Sequence, residues 1–332
     1  MEYSRIVEAF LSEAGKISSK IVITSHVNTD PDGLAAALAL GWFFASRGFE
    51  VKYCFPGISM LSRRLLQTLQ LEIEPAEKPN AFSLVVCDTS SDAVLGECKH
   101  YVDDARVTLL VDHHAPGPLV ASANYVVSTR EPATSTIVAR IFLEYNQPPP
   151  QNIATLLLAG ILYDTKRFQL ASVDTFKAAA FLLKTGDYVL AQKLLTEEMS
   201  RSERLARLKG AARALVLDVC GYLIAVTRVS AYEASVARAL IALGADIAIV
   251  VGGSKREVRA SVRVSKKALE AGIRIDEVLE RIKGLPGGGG GHPGAGGYNV
   301  SVESRRAADK MRGVLSREIL VETLRDIFEF LC

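Results

Sequence analysis

Histidine is rare in this chain, and where it occurs aspartate is near. Five histidines lie among 332 residues, at positions 26, 100, 113, 114 and 292. His26 opens the run His26-Val-Asn-Thr-Asp30-Pro-Asp32, and His113 and His114 directly follow Asp112. Asp88 follows the apolar run SLVVC. Asp164 follows LLLAGILY, with Thr165, Lys166, Arg167 and Phe168 beyond it. Carboxylates and imidazoles mixed in this way suit Mn2+, with Mg2+, Co2+ or Zn2+ as other candidates. One cation would need only part of the set. Two ions about 3.5–4 Å apart, bridged by one carboxylate, would use all of it, and such a pair serves phosphoryl chemistry. Each piece alone has a plainer reading. Asp30 or Asp32 could cap a helix beginning near residue 33, Asp88 could be a loop acid, and His113-His114 a turn. The same placement at three strand ends favours the metal reading.

A second kind of chemistry lies near the other end. Residues 287–297 read Gly-Gly-Gly-Gly-Gly-His-Pro-Gly-Ala-Gly-Gly. Consecutive glycines let backbone N–H groups approach an anion closely. Pro293 and the embedded His292 speak against a flexible tether. The missing GK[ST] ending disfavours a P-loop kinase or ATPase. Upstream, Arg259, Ser261 and Arg263 alternate, so they share one face of a strand. That face is either a solvated edge or a phosphate-binding surface.

The elements that must position these residues are of α/β type. Runs at 21–25, 83–87 and 107–111 are apolar and of strand length, as strands buried on both faces of a parallel sheet are. A short strand is expected at 50–53. Helical patterns cover 33–47, 134–145, 152–163 and 175–184, which gives a doubly wound layout. The charged stretch 191–215 reads as a connecting helix. Beyond it come a hairpin over 214–228 turning at Gly221, a helix at 231–243, and strands at 247–251 and 258–264. Helices are expected at 266–283 and 316–330. The implied domains are 1–187, a linker 188–212, and 213–332, with no internal repeat.

Bulk properties exclude several classes. A formal net charge of +2 gives no argument for bulk binding to long nucleic acid or membranes, so any nucleic-acid site must be a local patch. No segment is long and apolar enough for a membrane span, and the N-terminus lacks a signal-peptide core. Five scattered cysteines without a CxxC pair read as reduced thiols in a cytoplasmic protein. Scarce Asn and Gln beside plentiful Lys, Arg and Glu hint at a thermophilic source.

Taken in order, these motifs resemble the DHH phosphoesterase family with a DHHA1 C-terminal domain. The resemblance rests on His26-x-x-x-Asp30-x-Asp32, the lone Asp88, Asp112-His113-His114, Asp164-Thr165 followed by Phe168, and Gly288 to His292, and it spans roughly residues 15 to 302. It implies a parallel-sheet DHH domain, a smaller α/β DHHA1 domain, and an active site in the cleft between them. It also implies two metal ions, Mn2+ foremost. His26, Asp30 and Asp88 would hold one; Asp32, Asp88, His113 and Asp164 the other. Asp112 would orient an imidazole and His114 would contact the scissile phosphate. Arg263 and His292, with Gly290, Gly291 and Arg167, would bind the substrate. The family often has Gly-x-Phe after Asp-Thr, where this chain has Lys166-Arg167-Phe168. A lysine there could narrow the cleft or add a phosphate contact.

The activity so implied is two-metal hydrolysis of phosphate esters in short oligonucleotides or small nucleotides. It is of nanoRNase type, with 3′-phosphoadenosine 5′-phosphate as a further substrate. A RecJ-like exonuclease and a cyclic-dinucleotide phosphodiesterase stay open, and a homodimer is compatible with all of these. A nucleic-acid-binding scaffold that had lost its metals would show substituted ligands, yet every position is filled. A zinc hydrolase of unrelated fold would want HExxH, which is absent.

Overall fold

The computed structural model describes residues 2–77, 80–196, 199–282 and 285–330, with the side chains of Glu2 and Phe330 excepted. It divides into two compact units, Met1–Glu197 and Glu198–Cys332.

The first unit is a doubly wound α/β layer structure. Its strands are β1 (Lys20–Thr24), β2 (Glu50–Cys54), β3 (Ser83–Cys87), β4 (Val107–Asp112) and β5 (Tyr125–Ser128). They lie in the order β2-β1-β3-β4-β5, all parallel. The alternation of side chains splits the core into two layers. Ile21, Ile23, Val85, Cys87, Leu109 and Val111 face the layer that holds the large helices. Val22, Leu84, Val86 and Leu110 face a smaller layer with Phe82, Leu95, Tyr101 and Leu119. Such continuous apolar runs are what a sheet covered on both faces requires. The strand order reverses between β1 and β3. Ligands of open α/β sheets bind beyond the carboxyl ends of the strands at that switch point.

The helix Pro31–Ala45 has apolar residues all round, as a helix buried on every side must. Its run of small residues lets it lie close against the helix Gln151–Asp164. The helix Glu2–Ile17, the helix Met60–Leu69 and β5 were not apparent in the sequence pattern.

The second unit is a mixed six-stranded sheet in the order β10-β11-β9-β8-β7-β6. Its strands are β6 (Leu215–Val219), β7 (Tyr222–Arg228), β8 (Ile247–Gly253), β9 (Glu257–Val264), β10 (Gly288–His292) and β11 (Ala295–Ser301). β7 and β8 are parallel and the other pairs antiparallel. The long helix Arg305–Phe330 and the helix Ile275–Glu280 cover one face through Leu315, Ile319, Val278 and Leu279. The helix Glu233–Ala242 covers the other through Val236, Ala237 and Leu240.

Several expectations need correction. The glycine-rich segment is a β-hairpin, not a loop. Glycine carries no side chain to show the two-residue period of a strand, so pairing with β9 through β11 fixes its conformation instead. Close cover explains the glycines: a Cβ on Gly296 would stand 2.5 Å from Leu279 Cδ1 and 2.9 Å from Ile275 Cγ2. The helix expected at 266–283 is two short helices, Lys266–Glu270 and Ile275–Glu280, separated at the left-handed Gly272, and residue 283 lies outside the described residues. The last helix begins eleven residues earlier than its apolar pattern suggested, at Arg305. The segment 188–212 carries two helices, Tyr188–Leu194 in the first unit and Arg201–Ala212 in the second.

The cysteines are not a reduced set. Cys54 and Cys98 form a disulfide across 44 residues, tying β2 to the smaller core layer, and Cys220 is also disulfide-bonded. Such bridges persist in oxidising compartments or inside hyperthermophiles. Cys332 lies outside the described residues. No described helix is long and apolar enough to cross a membrane.

Candidate metal centre

The chemistry-bearing residues of the first unit gather at the carboxyl ends of β1, β3 and β4, at the switch point. His26 follows β1. Its Nδ1 donates to the Val27 carbonyl at 2.9 Å, which turns Nε2 toward the carboxylates. That Nε2 lies 3.8 Å from Asp30 Oδ1 and 3.5 Å from Asp88 Oδ2. His113, beyond β4, is built the same way. Its Nδ1 donates to the Glu131 carbonyl at 3.1 Å. Its Nε2 lies 3.4 Å from Asp88 Oδ1 and 3.3 Å from Asp164 Oδ2.

Asp30 takes the capping role that the sequence left open and also stands where a ligand could. It is the N-cap of the helix Pro31–Ala45, where its Oδ1 accepts from Asp32 N at 2.9 Å and Gly33 N at 3.1 Å, and it also faces His26. Asp32, two residues on, is wholly buried. Its two oxygens accept from Thr134 N at 2.7 Å and Ser135 N at 2.8 Å, the start of the helix Thr134–Glu144. Asp88 sits in the left-handed region, at φ 62°, a strained placement for a non-glycine residue. It is 2% exposed, and Thr134 Oγ1 donates to its Oδ1 at 2.8 Å.

Donor atoms of His26, Asp30 and Asp88 lie within 4.8 Å of one another, and so do those of Asp32, His113 and Asp164. Asp88 stands between the two groups, in reach of both imidazoles. A third such group is Asp88, His113 and His114. His114 is half exposed, and its Nδ1 donates to the buried Asp112 at 2.8 Å.

The electrostatics follow from the crowding. Burial pushes the Asp32 carboxyl up, and the charges of Asp88 and Asp164 push it further. Burial also raises Asp88, against the pull of His26. Burial would lower His26, but contacts with Asp30 and Asp88 outweigh it and hold the imidazole up at about 10. His113 is held up at about 9 in the same way, by Asp164, Asp32 and Asp88 against its burial. The hydrogen bond to Asp112 raises His114.

Supporting residues were not singled out from sequence. Thr134 and Ser135 anchor Asp32 and Asp88, yet no motif marks them. Gly33 leaves room for the centre: a Cβ there would stand 2.5 Å from Ser25 Oγ, 3.0 Å from Asp88 Oδ2 and 3.3 Å from His26 Nε2. After Asp164 the chain turns through three consecutive left-handed residues, Lys166, Arg167 and Phe168, at φ 49°, 57° and 68°. Buried Thr165 holds the turn: its hydroxyl donates to Ile161 O at 2.6 Å and accepts from Phe168 N at 2.9 Å. Phe168 then stacks on Phe176. This explains why a glycine suits position 166: the family resemblance places one where the backbone is left-handed. Arg167 is exposed, and its guanidinium reaches Thr196 Oγ1 at 3.4 Å.

Arg263, Gly290, Gly291 and His292 lie together in the second unit. They line a cavity of about 450 Å³ that also contains Arg259 and Glu233. The hairpin register pairs His292 with Ala295, and Ala295 with Arg263. Glu233 faces Arg259 at 3.6 Å and was not noticed in the sequence.

Comparison with known proteins gives the same frame. Residues 20–161 match the family described as "DHH family, N-terminal domain". An uncharacterized protein of Methanocaldococcus jannaschii is 32% identical over 304 residues, covering 88% of this chain and 90% of that protein. Cyclic-di-AMP phosphodiesterase GdpP of Geobacillus thermodenitrificans is 30% identical over 318 residues, 87% of this chain but 46% of its own length. The crystal structure of an exopolyphosphatase-related protein from Bacteroides fragilis aligns over 98% of both chains with a TM-score of 0.52 at 16% identity. That likeness shows a shared fold.

Proposed function

Since this chain belongs to the DHH family, we propose that it is a metal-dependent phosphoesterase acting on short oligonucleotides or small nucleotides. The observation that carries the reading is Asp88, buried between two imidazole–carboxylate groups and, among the described residues, paired with no lysine or arginine.

The donor set fits metal ions. His113 Nε2 is buried and has no hydrogen-bond partner among the described residues. Buried carboxylates standing this close together need positive charge. Of the divalent ions, Mn2+ best matches mixed oxygen and imidazole donors. His26, Asp30 and Asp88 would hold one ion, and Asp32, Asp88, His113 and Asp164 a second. When bound, the ions would lower the pKa of water and stabilise charge on the phosphoryl oxygens.

The chain's own residues do the rest. Val27 and Glu131 carbonyls fix the ring nitrogens of His26 and His113, so each presents Nε2 inward. Thr134 and Ser135 lock Asp32 in place before any ligand arrives. Asp112 holds the His114 imidazole from behind and favours its protonated form, so its exposed side can donate to a phosphoryl oxygen. In the second unit, Arg263, Gly290, Gly291 and His292 would take a phosphate or terminal nucleotide by charge and by close backbone approach.

A second reading is a cyclic-dinucleotide phosphodiesterase, favoured by the 30% identity to GdpP across most of this chain. The deciding experiment incubates the Mn2+-loaded protein with di- to decanucleotides, cyclic dinucleotides, 3′-phosphoadenosine 5′-phosphate and pyrophosphate. Fastest turnover of linear dinucleotides or 3′-phosphoadenosine 5′-phosphate supports the main reading. Fastest cleavage of a cyclic dinucleotide supports the second. Pyrophosphate as the best substrate, or activity retained by Asp88→Asn, would overturn both.

A further inference from the structure

The second unit carries a concentration of positive charge that the candidate site does not use. Where β7 and β8 end beside the start of the helix Arg305–Phe330, a cavity of about 650 Å³ is lined by Arg213, Arg228, Lys255, Arg305 and Arg312. Its one acid, Asp309, is already paired with Arg312 at 2.6 Å. Arg312 is further fixed by the carbonyls of Gly252, Gly253 and Ser254. Among the described residues, no side-chain hydrogen bond or ion pair engages Arg213, Arg228, Lys255 or Arg305. In a chain of net charge +2 this is the local patch that composition allowed.

The cavity does not stand alone. A second one, of about 490 Å³, shares Arg213 and Arg228 with it and continues along the same helix past Gly313 and Arg317 to Leu320. Residues 305, 309, 312, 313, 316, 317 and 320 fall on one helical stripe. From Arg305 to Leu320 it runs about 22 Å at 1.5 Å per residue. Its floor is apolar, with Leu215, Val226 and Leu320. None of these residues lines the cavity of Arg263 and His292.

We propose that this groove is a separate binding track for single-stranded nucleic acid. Free arginines along a line suit repeated phosphates rather than one anion, and guanidinium is the group fitted to phosphate oxygens. The apolar floor suits bases, which inorganic polyphosphate lacks. No aromatic side chain lines the groove, so it reads backbone charge without sequence preference. The proposal is independent of which ester the first unit cleaves.

The test is binding of a fluorescent, non-hydrolysable 12-nucleotide phosphorothioate to the full chain, followed by anisotropy across a salt series. Single strands lose affinity with a slope of about −0.7 per phosphate neutralised. The variant Arg213→Gln with Arg228→Gln should therefore lower the slope by about 1.4, which at 0.1 M salt is about a 25-fold weaker affinity. Lys255→Gln, in the exposed turn between β8 and β9, with Arg305→Gln, at the exposed start of the long helix, should act in the same direction. Thermal melts report whether each variant is folded. An unchanged slope in both folded variants overturns the proposal. So does inorganic polyphosphate displacing the probe better than an unlabelled 12-mer at equal phosphate concentration. Because the probe is not cleaved, a protein that hydrolyses nothing in the substrate panel would still support or refute the groove.

Discussion

Replacing Gly160 by alanine should loosen the metal centre from behind. Gly160 lies on the helix Gln151–Asp164, four residues before Asp164 and opposite Asp32. A Cβ there would stand 2.2 Å from Ser135 Oγ, and 3.1 Å from both Ala35 Cβ and Asp32 Oδ1. The first distance is far inside contact, so Ser135 must give way. Its backbone N–H is the donor that holds Asp32 Oδ1 at 2.8 Å, so any retreat of Ser135 frees a ligand. Overpacking of this kind costs about 1–3 kcal/mol. Alanine's helix preference over glycine returns about 1 kcal/mol of it. Stability should thus fall by only about 0–2 kcal/mol. Metal affinity should fall further, by the roughly 10- to 100-fold typical of losing a ligand's supporting hydrogen bond. Titration calorimetry with Mn2+ reads the affinity, and urea unfolding reads the stability. Ser135→Ala removes the obstructing hydroxyl but keeps the N–H, so the double variant should recover most of the lost affinity. If Gly160→Ala binds Mn2+ within twofold of the native chain, or if Ser135→Ala fails to rescue it, this account of how Asp32 is held is wrong.

Other consequences can be checked with simpler measurements. Lys166→Gly should stabilise the protein by about 1 kcal/mol in urea unfolding, because a left-handed non-glycine residue costs about 1–2 kcal/mol, partly offset by glycine's greater freedom when unfolded. A loss of stability would mean that the lysine side chain holds something in place. Asp112→Asn should keep Mn2+ affinity while turnover drops on the order of 10- to 100-fold, since it unseats His114 and leaves the two central groups intact. Equal losses in both would move Asp112 into the metal's own coordination. Without metal, the melting temperature should fall as pH rises from 7 to 10. The folded state holds His26 and His113 protonated up to about 10 and about 9, so their stabilisation is present at low pH and lost through that window. The raised carboxyls of Asp32 and Asp88 act with the same sign. Saturating Mn2+ should flatten the slope; a flat profile without metal would contradict the crowding argument.

The parallel sheet could be read in advance because its strands are buried on both faces. β3 and β4 are buried along their whole length, and only Ser83, Thr108 and the terminal Asp112 interrupt their apolar runs. Placement of an acid or imidazole just past each run then pointed to one end of the sheet. What the runs could not supply was strand order, and with it the switch point between β1 and β3. Thr134 and Ser135 were hidden for a different reason. They hold Asp32 through backbone N–H groups, which every residue but proline possesses, and the one hydroxyl involved, Thr134 Oγ1 on Asp88, belongs to a common residue type with no motif around it. The hairpin of Gly288–His292 was hidden because period-two reading needs side chains, and glycine has none. β5, half-buried at the sheet's edge, gave too short a run to stand out. The Cys54–Cys98 pairing lay outside what spacing could show, because 44 residues separate the two and only the fold brings both to the smaller core layer.

The arrangement of helix ends shows why the centre suits a cation. The N-terminus of the helix Pro31–Ala45 gives two N–H groups to Asp30, and that of the helix Thr134–Glu144 gives two to Asp32. Both dipoles also favour negative charge there. These two carboxylates are therefore fixed in position even in a bare protein, although burial and the neighbouring acids still push Asp32 up. Asp164 is not. It lies at the end of the helix Gln151–Asp164, where the dipole opposes a carboxylate, and its neighbour His113 presents a buried nitrogen with no partner among the described residues. Asp88 is buried on a strained backbone with a single hydroxyl donor. Two helix N-termini alone cannot balance four buried or half-buried acids, Asp30, Asp32, Asp88 and Asp164. In the bare protein the imidazoles of His26 and His113 supply the balancing charge by protonation; with the rings neutral and acting as ligands, as proposed, metal ions would supply it.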